Sequence, residues 1–243
     1  MKRIAALVDL TEICGKALEF AGNIAAQVNA SLVLVHVADF SDQSRSVEIE
    51  AKLQALHSEI PNGVLVEDHV SYGVFFSLIP TIITDLDVDL VVVPTHGKVG
   101  IMQNLLGANI LKLVKQLPVP ALVVQAKSAY TADSFNTLLF PVGPHSDFDV
   151  KIKQTANFAK LFGSTVVVYM VKNDIRGVSD DLRNNFSESK TYFASCDVKY
   201  EEVKEEPVEF SAGYAKHILN YARTLGSCAI CVMSHVSDEN GYI

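Results

Sequence analysis

Apolar residues run in two kinds of pattern along this 243-residue chain. Short near-continuous runs such as Ile4-Ala5-Ala6-Leu7-Val8 and Leu32-Val33-Leu34-Val35-His36-Val37 read as strands buried on both faces. Between them, Ile13, Ala17, Ala21, Ile24, Ala25 and Val28 recur at helical spacing. Strand, helix, strand is the unit of a parallel sheet. Adding 134 without a gap lands on Leu138-Leu139-Phe140-Pro141-Val142-Gly143. A helical pattern with Ile152, Thr155, Phe158, Ala159 and Phe162 follows, and then Val166 to Val171. The unit is written twice.

Its far end repeats at offset 139. The helical segment Phe75 to Leu86 feeds Leu90-Val91-Val92-Val93-Pro94-Thr95-His96, and Tyr214 to Leu225 feeds Cys228-Ala229-Ile230-Cys231-Val232-Met233-Ser234-His235. The drift from 134 to 139 places five extra residues in the polar middle of the second copy, Asn173 to Glu206, as a surface excursion around a middle helix and strand. The expected fold is α/β, two tandem doubly wound parallel-sheet domains at 1–127 and 137–243, with Ala126–Asn136 as a polar linker. A helix over Ala108–Leu117 and a strand over Val119–Gln125 close the first copy. The second stops before their counterparts and is expected to lack them, as a degenerate, truncated copy.

Composition narrows the function. With 49% apolar and 20% charged residues the chain can bury cores. No apolar run reaches the roughly 18–20 residues of a membrane span, and Asp9 interrupts the start before a signal region forms. Net charge is −8, with −4 over residues 1–127 and −4 over the rest. No basic stripe for nucleic acid is present. Four scattered cysteines suit a reducing cytoplasm. Cys228 and Cys231 resemble a redox pair, but positions i and i+3 of a strand face opposite sides, so both read as core.

In a parallel sheet ligands bind beyond the carboxyl ends of the strands, where strand order reverses. Asp9 ends the first strand and Val37 the second. Pro94-Thr95-His96-Gly97-Lys98-Val99-Gly100 leaves the fourth, and Gly107-Ala108-Asn109 opens the next helix. Glycines and helix-start N–H groups there suit a phosphate. This exit, the second glycine and the tail Leu117-Pro118-Val119-Pro120-Ala121-Leu122-Val123-Val124 resemble the universal stress protein family, within the adenine nucleotide alpha hydrolase-like layout. Its nucleotide-binding members carry G-x2-G-x9-G-[S/T], an Asp ending the first strand and an H-V ending the second.

The resemblance implies a non-catalytic stress-response or signalling module. In it Asp9 meets the adenosine of ATP or another adenine nucleotide, and the Val37 backbone meets the adenine. Gly97 and Gly107 let the backbone surround the phosphates. Two positions depart from the pattern: Pro94 replaces the first glycine and Ala108 replaces the Ser/Thr hydroxyl. Asn109 and Lys98 are the donors at hand to compensate. In the second copy Gly143 stands where Asp9 was and Val236 where Gly97 was, so no site is expected there. A homodimer is expected; no metal, nucleic acid or membrane partner is.

Other readings stay open beside this one. Asp9 can instead cap the following helix, and Gly97 and Gly100 can be plain loop glycines. His36 and His96 match metal ligands only by residue type, since no Cys or carboxylate stands at ligand spacing. Lys112 and Lys115 read as a solvated helix face. The alternative function is a structural scaffold that binds no nucleotide. A third reading, a slow ATPase or self-phosphorylating switch, rests on His96. No G-x-S-x-G elbow, P-loop, HxGH or SGGxDS motif occurs.

Overall fold

A computed structural model describes residues 1–10, 14–95, 108–171, 179–205, 214–226 and 228–234. The chain divides into two compact units, Met1–Tyr130 and Thr131–Ile243. The first contains β1 (Arg3–Leu7), α1 (Cys14–Val28), β2 (Ser31–Ala38), α2 (Ser46–Leu56), β3 (Val66–Tyr72), α3 (Phe75–Asp85), β4 (Leu90–Pro94), α4 (Ala108–Gln116) and β5 (Ala121–Val124). Among the described residues its five strands lie in the order β3-β2-β1-β4-β5, all parallel. Order reverses between β1 and β4, which places the switch point above those two strands.

Both faces of this sheet are covered. Ala5, Leu7, Val33, Val35, Val37, Val91 and Val93 pack against Phe75, Ile79 and Ile83 of α3 and Leu113 of α4. The apolar side of α1, Ala17, Leu18, Ala21, Ile24 and Ala25, is buried. The stretch after β5 stays with the first unit. Tyr130 donates its backbone N–H to Glu19 Oε1 at 3.0 Å and its hydroxyl to Gln27 at 2.7 Å, and its ring meets Phe20 edge-on at 5.4 Å.

The second unit contains β6 (Thr137–Pro141), α5 (Phe148–Phe162), β7 (Thr165–Val171), α6 (Asp180–Ser195), β8 (Tyr200–Glu205), α7 (Tyr214–Thr224) and β9 (Ala229–Ile230). Among the described residues its sheet has four parallel strands, β8-β7-β6-β9. The repeat extends to register. Arg3↔Ser31 in β1–β2 becomes Thr137↔Thr165 in β6–β7, and Ile4↔Leu90 becomes Leu138↔Ala229. The turn after the first helix is copied as well. Asn29 (φ 53°) and Gly163 (φ 65°), two residue types that tolerate the left-handed region, reverse the chain there. Ala30 N–H then bonds Ala25 O, and Ser164 N–H bonds Ala159 O, both at 2.9 Å.

Register also corrects the expected position of the insertion. Leu32↔Val66 in the first unit and Val166↔Tyr200 in the second are both offset by 134, so the middle of the second copy has the same length as that of the first. The five additional residues fall after β8, between Glu205 and Tyr214. The polarity of α6 suggested otherwise, but α6 buries Leu182, Asn185, Phe186, Ser189 and Phe193 and is part of the core. The cysteines diverge as their spacing requires: Cys228 packs with Tyr221, Ala222 and Leu225 on one face, and Cys231 with the α5–α6 face on the other.

Candidate functional site at the carboxyl edge of the first sheet

Three strand ends and a helix start meet at this edge. Ladder bonding decides which backbone groups face the crevice. Along a parallel strand, successive residues point their N–H and C=O to alternate neighbours. Val8 N–H bonds Val35 O at 3.0 Å, and Gly73 N–H bonds Ala38 O at 2.9 Å. Val35 therefore faces β1 and Ala38 faces β3. Val37, two residues beyond Val35, directs its N–H and C=O to the β1 side, past the last paired residue of β1. Its side chain is buried in the α3 face. This is the backbone that the family resemblance assigns to an adenine.

Pro94 takes a different place from the one its motif position suggests. It is buried at the end of β4 and paired with Val124. Val91 and Thr95 donate to β5, to Pro120 O and Val124 O, so the intervening Pro94 faces β1. The N–H it lacks is the ladder donor that would meet Leu7 O, rather than a donor of the loop beyond. The β1–β4 pairing ends at Ala6↔Val92 accordingly. The two strands that frame the switch point part there.

Asp9 follows β1 half-exposed, at this parting. Leu10 turns the chain with φ 60°, a costly conformation for a branched side chain and one that gathers at functional sites. Two neighbours register the Asp9 carboxylate. The Cys14 thiol is pushed up to about 11, chiefly by burial, with the charges of Asp9 and Glu59 adding to it, so it is an inert thiol. Burial holds His36 below the ordinary imidazole value, while its bond to Val8 and the carboxylates of Asp9 and Asp42 pull the other way.

His36 is the residue whose role the sequence did not disclose. Its Nδ1 lies 2.9 Å from Val8 O, and a carbonyl can only accept, so Nδ1 carries the proton. Val8 is thus held by its N–H through Val35 and by its C=O through His36, and the peptide leading into Asp9 is fixed. Its signal in the sequence was the H-V pair at the end of the second strand.

Ala108 and Asn109 open α4. Gly97, Gly107, Lys98, Gly100 and His96 lie outside the described residues, as do His235 and Val236 of the second copy. Among the described residues no group of three His, Cys, Asp or Glu side chains could hold a metal ion, and no helix is long and apolar enough to cross a membrane. Lys112 is exposed, with its ammonium 5.1 Å from the centre of the Phe76 ring.

The profile described as "Universal stress protein family" matches residues 1–125, just over half of the chain, and the chain belongs to that family. No curated protein matches it. Among solved structures, a universal stress protein from Archaeoglobus fulgidus is 17% identical over 94% of this chain and 85% of its own, with a TM-score of 0.71. A functionally unknown protein, PA1789, from Pseudomonas aeruginosa is 17% identical over 100% of this chain and 86% of its own, with a TM-score of 0.62. A putative universal stress protein from Pseudomonas aeruginosa UCBPP-PA14 has the same identity and coverage at 0.60. These likenesses show the two-unit fold.

Proposed function

We propose that the first unit holds an adenine nucleotide, ATP above all, and that the chain acts as a non-catalytic stress-response or signalling module of the cytoplasm. One observation carries this reading: the β1–β4 ladder is cut short by Pro94, and Asp9 stands half-exposed where the strands part, with the Val37 backbone turned to the same side. A carboxylate suits ribose hydroxyls. The paired N–H and C=O of Val37 suit the edge of a base, and the start of α4 suits phosphate. Val37, Asp9, Gly97, Gly107, Ala108 and Asn109 are the residues we assign to it. Calorimetry of the full chain with ATP tests the assignment. Micromolar binding that Asp9→Ala weakens supports it, and no heat at millimolar ATP leaves the scaffold reading in its place.

Self-association is the second part of the proposal. Among the described residues β9 ends its sheet, with Ala229 and Ile230 half-buried and Val232, two residues on, 57% exposed; the unpaired backbone groups of a sheet edge can pair with a second copy. A homodimer should appear in light scattering at twice the 26.5 kDa of one chain. A mass of one chain at micromolar concentration would overturn it.

A further inference from the structure

The stretch after β6, equivalent to the Asp9 turn, is built differently from its counterpart. From the last residue of β6 onward, Pro141, Val142, Gly143, Pro144 and His145 are all buried; in the first unit Leu7 and Val8 are buried likewise, but Asp9 and Leu10 are half-exposed. Three helices send donors to its carbonyls. Lys151 Nζ of α5 bonds Pro141 O, the Tyr214 hydroxyl of α7 bonds Val142 O, and Asn185 Nδ2 of α6 bonds both Gly143 O and His145 O, at 2.8 and 2.9 Å. By the registers given above, the first-unit counterparts of these donors are Ala17, Phe75 and Ala51, none of which can donate.

The surroundings commit these donors to the task. Lys151 and Asn185 are each 7% exposed. The ammonium of Lys151 lies 4.4 and 4.9 Å from the ring centres of Phe140 and Phe148, and His145 stacks on Phe148. Pro144 occupies the place of Leu10 and cannot adopt its left-handed turn. Gly143 offers no carboxylate where Asp9 stands.

We propose that Lys151, Asn185 and Tyr214 are a built-in occupant of the second unit. They seal its strand-end crevice, so that the chain takes up nucleotide in its first unit alone, one per chain. The sealing stands on the contacts above; the count of one rests on the function proposed for the first unit. Hydrogen exchange of the full chain, followed by mass spectrometry, separates the two. Without nucleotide the segment 141–147 should exchange at least about tenfold more slowly than 8–10, and millimolar ATP should leave the exchange of 141–147 unchanged. Asn185→Ala, and the milder Tyr214→Phe should the first not fold, should raise exchange in 141–147 about tenfold. Native mass spectrometry with ATP should show one nucleotide per chain in the parent. Fast exchange of 141–147 in the parent, protection of it by ATP, or a second nucleotide bound to the parent would overturn the proposal. Slow exchange with no nucleotide bound at all would sink the function proposed for the first unit and leave the seal standing.

Discussion

His36 and Val8 are joined side chain to backbone across two neighbouring strands: the imidazole Nδ1–H of one meets the carbonyl of the other at 2.9 Å. In the second unit the equivalent carbonyl, Val142 O, is met from another element altogether, by the Tyr214 hydroxyl. Both copies satisfy the same backbone group, and the choice of donor decides what else the site can be. In the first unit the donor is a side chain of the sheet itself, and in the second it reaches over from α7.

His36→Ala leaves Val8 O without that donor in a partly buried setting and should cost about 1–3 kcal/mol in urea unfolding. The fold also favours the neutral ring, because burial lowers its proton affinity against an ordinary value of 6.5. As pH falls through and below that value the unfolded chain binds the proton first. Parent stability should therefore drop on acidification by more than that of the variant, as measured by paired urea melts from pH 7.5 to 5.

Asp9→Ala should weaken ATP binding about 10- to 100-fold, the worth of a charged hydrogen bond of about 1.5–3 kcal/mol, with little change in melting temperature. Calorimetry and a thermal scan on the same sample separate loss of contact from loss of fold. Gly143→Asp, placing a carboxylate at the sealed position, should gain no binding.

Lys151 is held at about 7 in the folded chain, chiefly by burial, against 10.5 when exposed. Between those values the unfolded chain carries the extra proton, so raising the pH favours the fold, by on the order of 5 kcal/mol across the full interval. Lys151→Met removes that titration. The stability gap between parent and variant should change in the parent's favour from pH 7 to 10, as read from paired denaturant melts. A constant gap would show that the ammonium is solvated.

Pro94→Ala restores the donor opposite Leu7 O. It should extend the β1–β4 ladder by one bond and stabilise the first unit by about 0.5–1.5 kcal/mol. It should also weaken ATP binding by narrowing the gap between the strands. If affinity instead rises, the lost N–H belonged to the ligand.

Much of the architecture was legible in the sequence because buried parallel strands leave long apolar runs, and a gapless offset of 134 carries their register along. The location of the five extra residues was not legible. Polarity pointed to Asn173–Glu206, yet a helix such as α6 is polar on one side only and keeps its length. Asp9 and Val37 could be picked out as strand-end residues. What Pro94 does could not, since the direction of a missing N–H depends on the pairing of Val91 and Thr95 with β5. The seal of the second unit was equally hidden. Lys151, Asn185 and Tyr214 come from three separate helices, and each looks like an ordinary polar residue in its own segment.

The shared strand register carries a hazard for a newly made chain: strands of one copy could dock in the sheet of the other and trap a swapped fold, a failure typical of tandem repeats. Side-chain bulk guards against it. Phe140 stands where Ala6 does and Tyr169 where Val35 does, each fully buried in its own core. A strand in the wrong sheet would either overfill the interior or leave a hole in it.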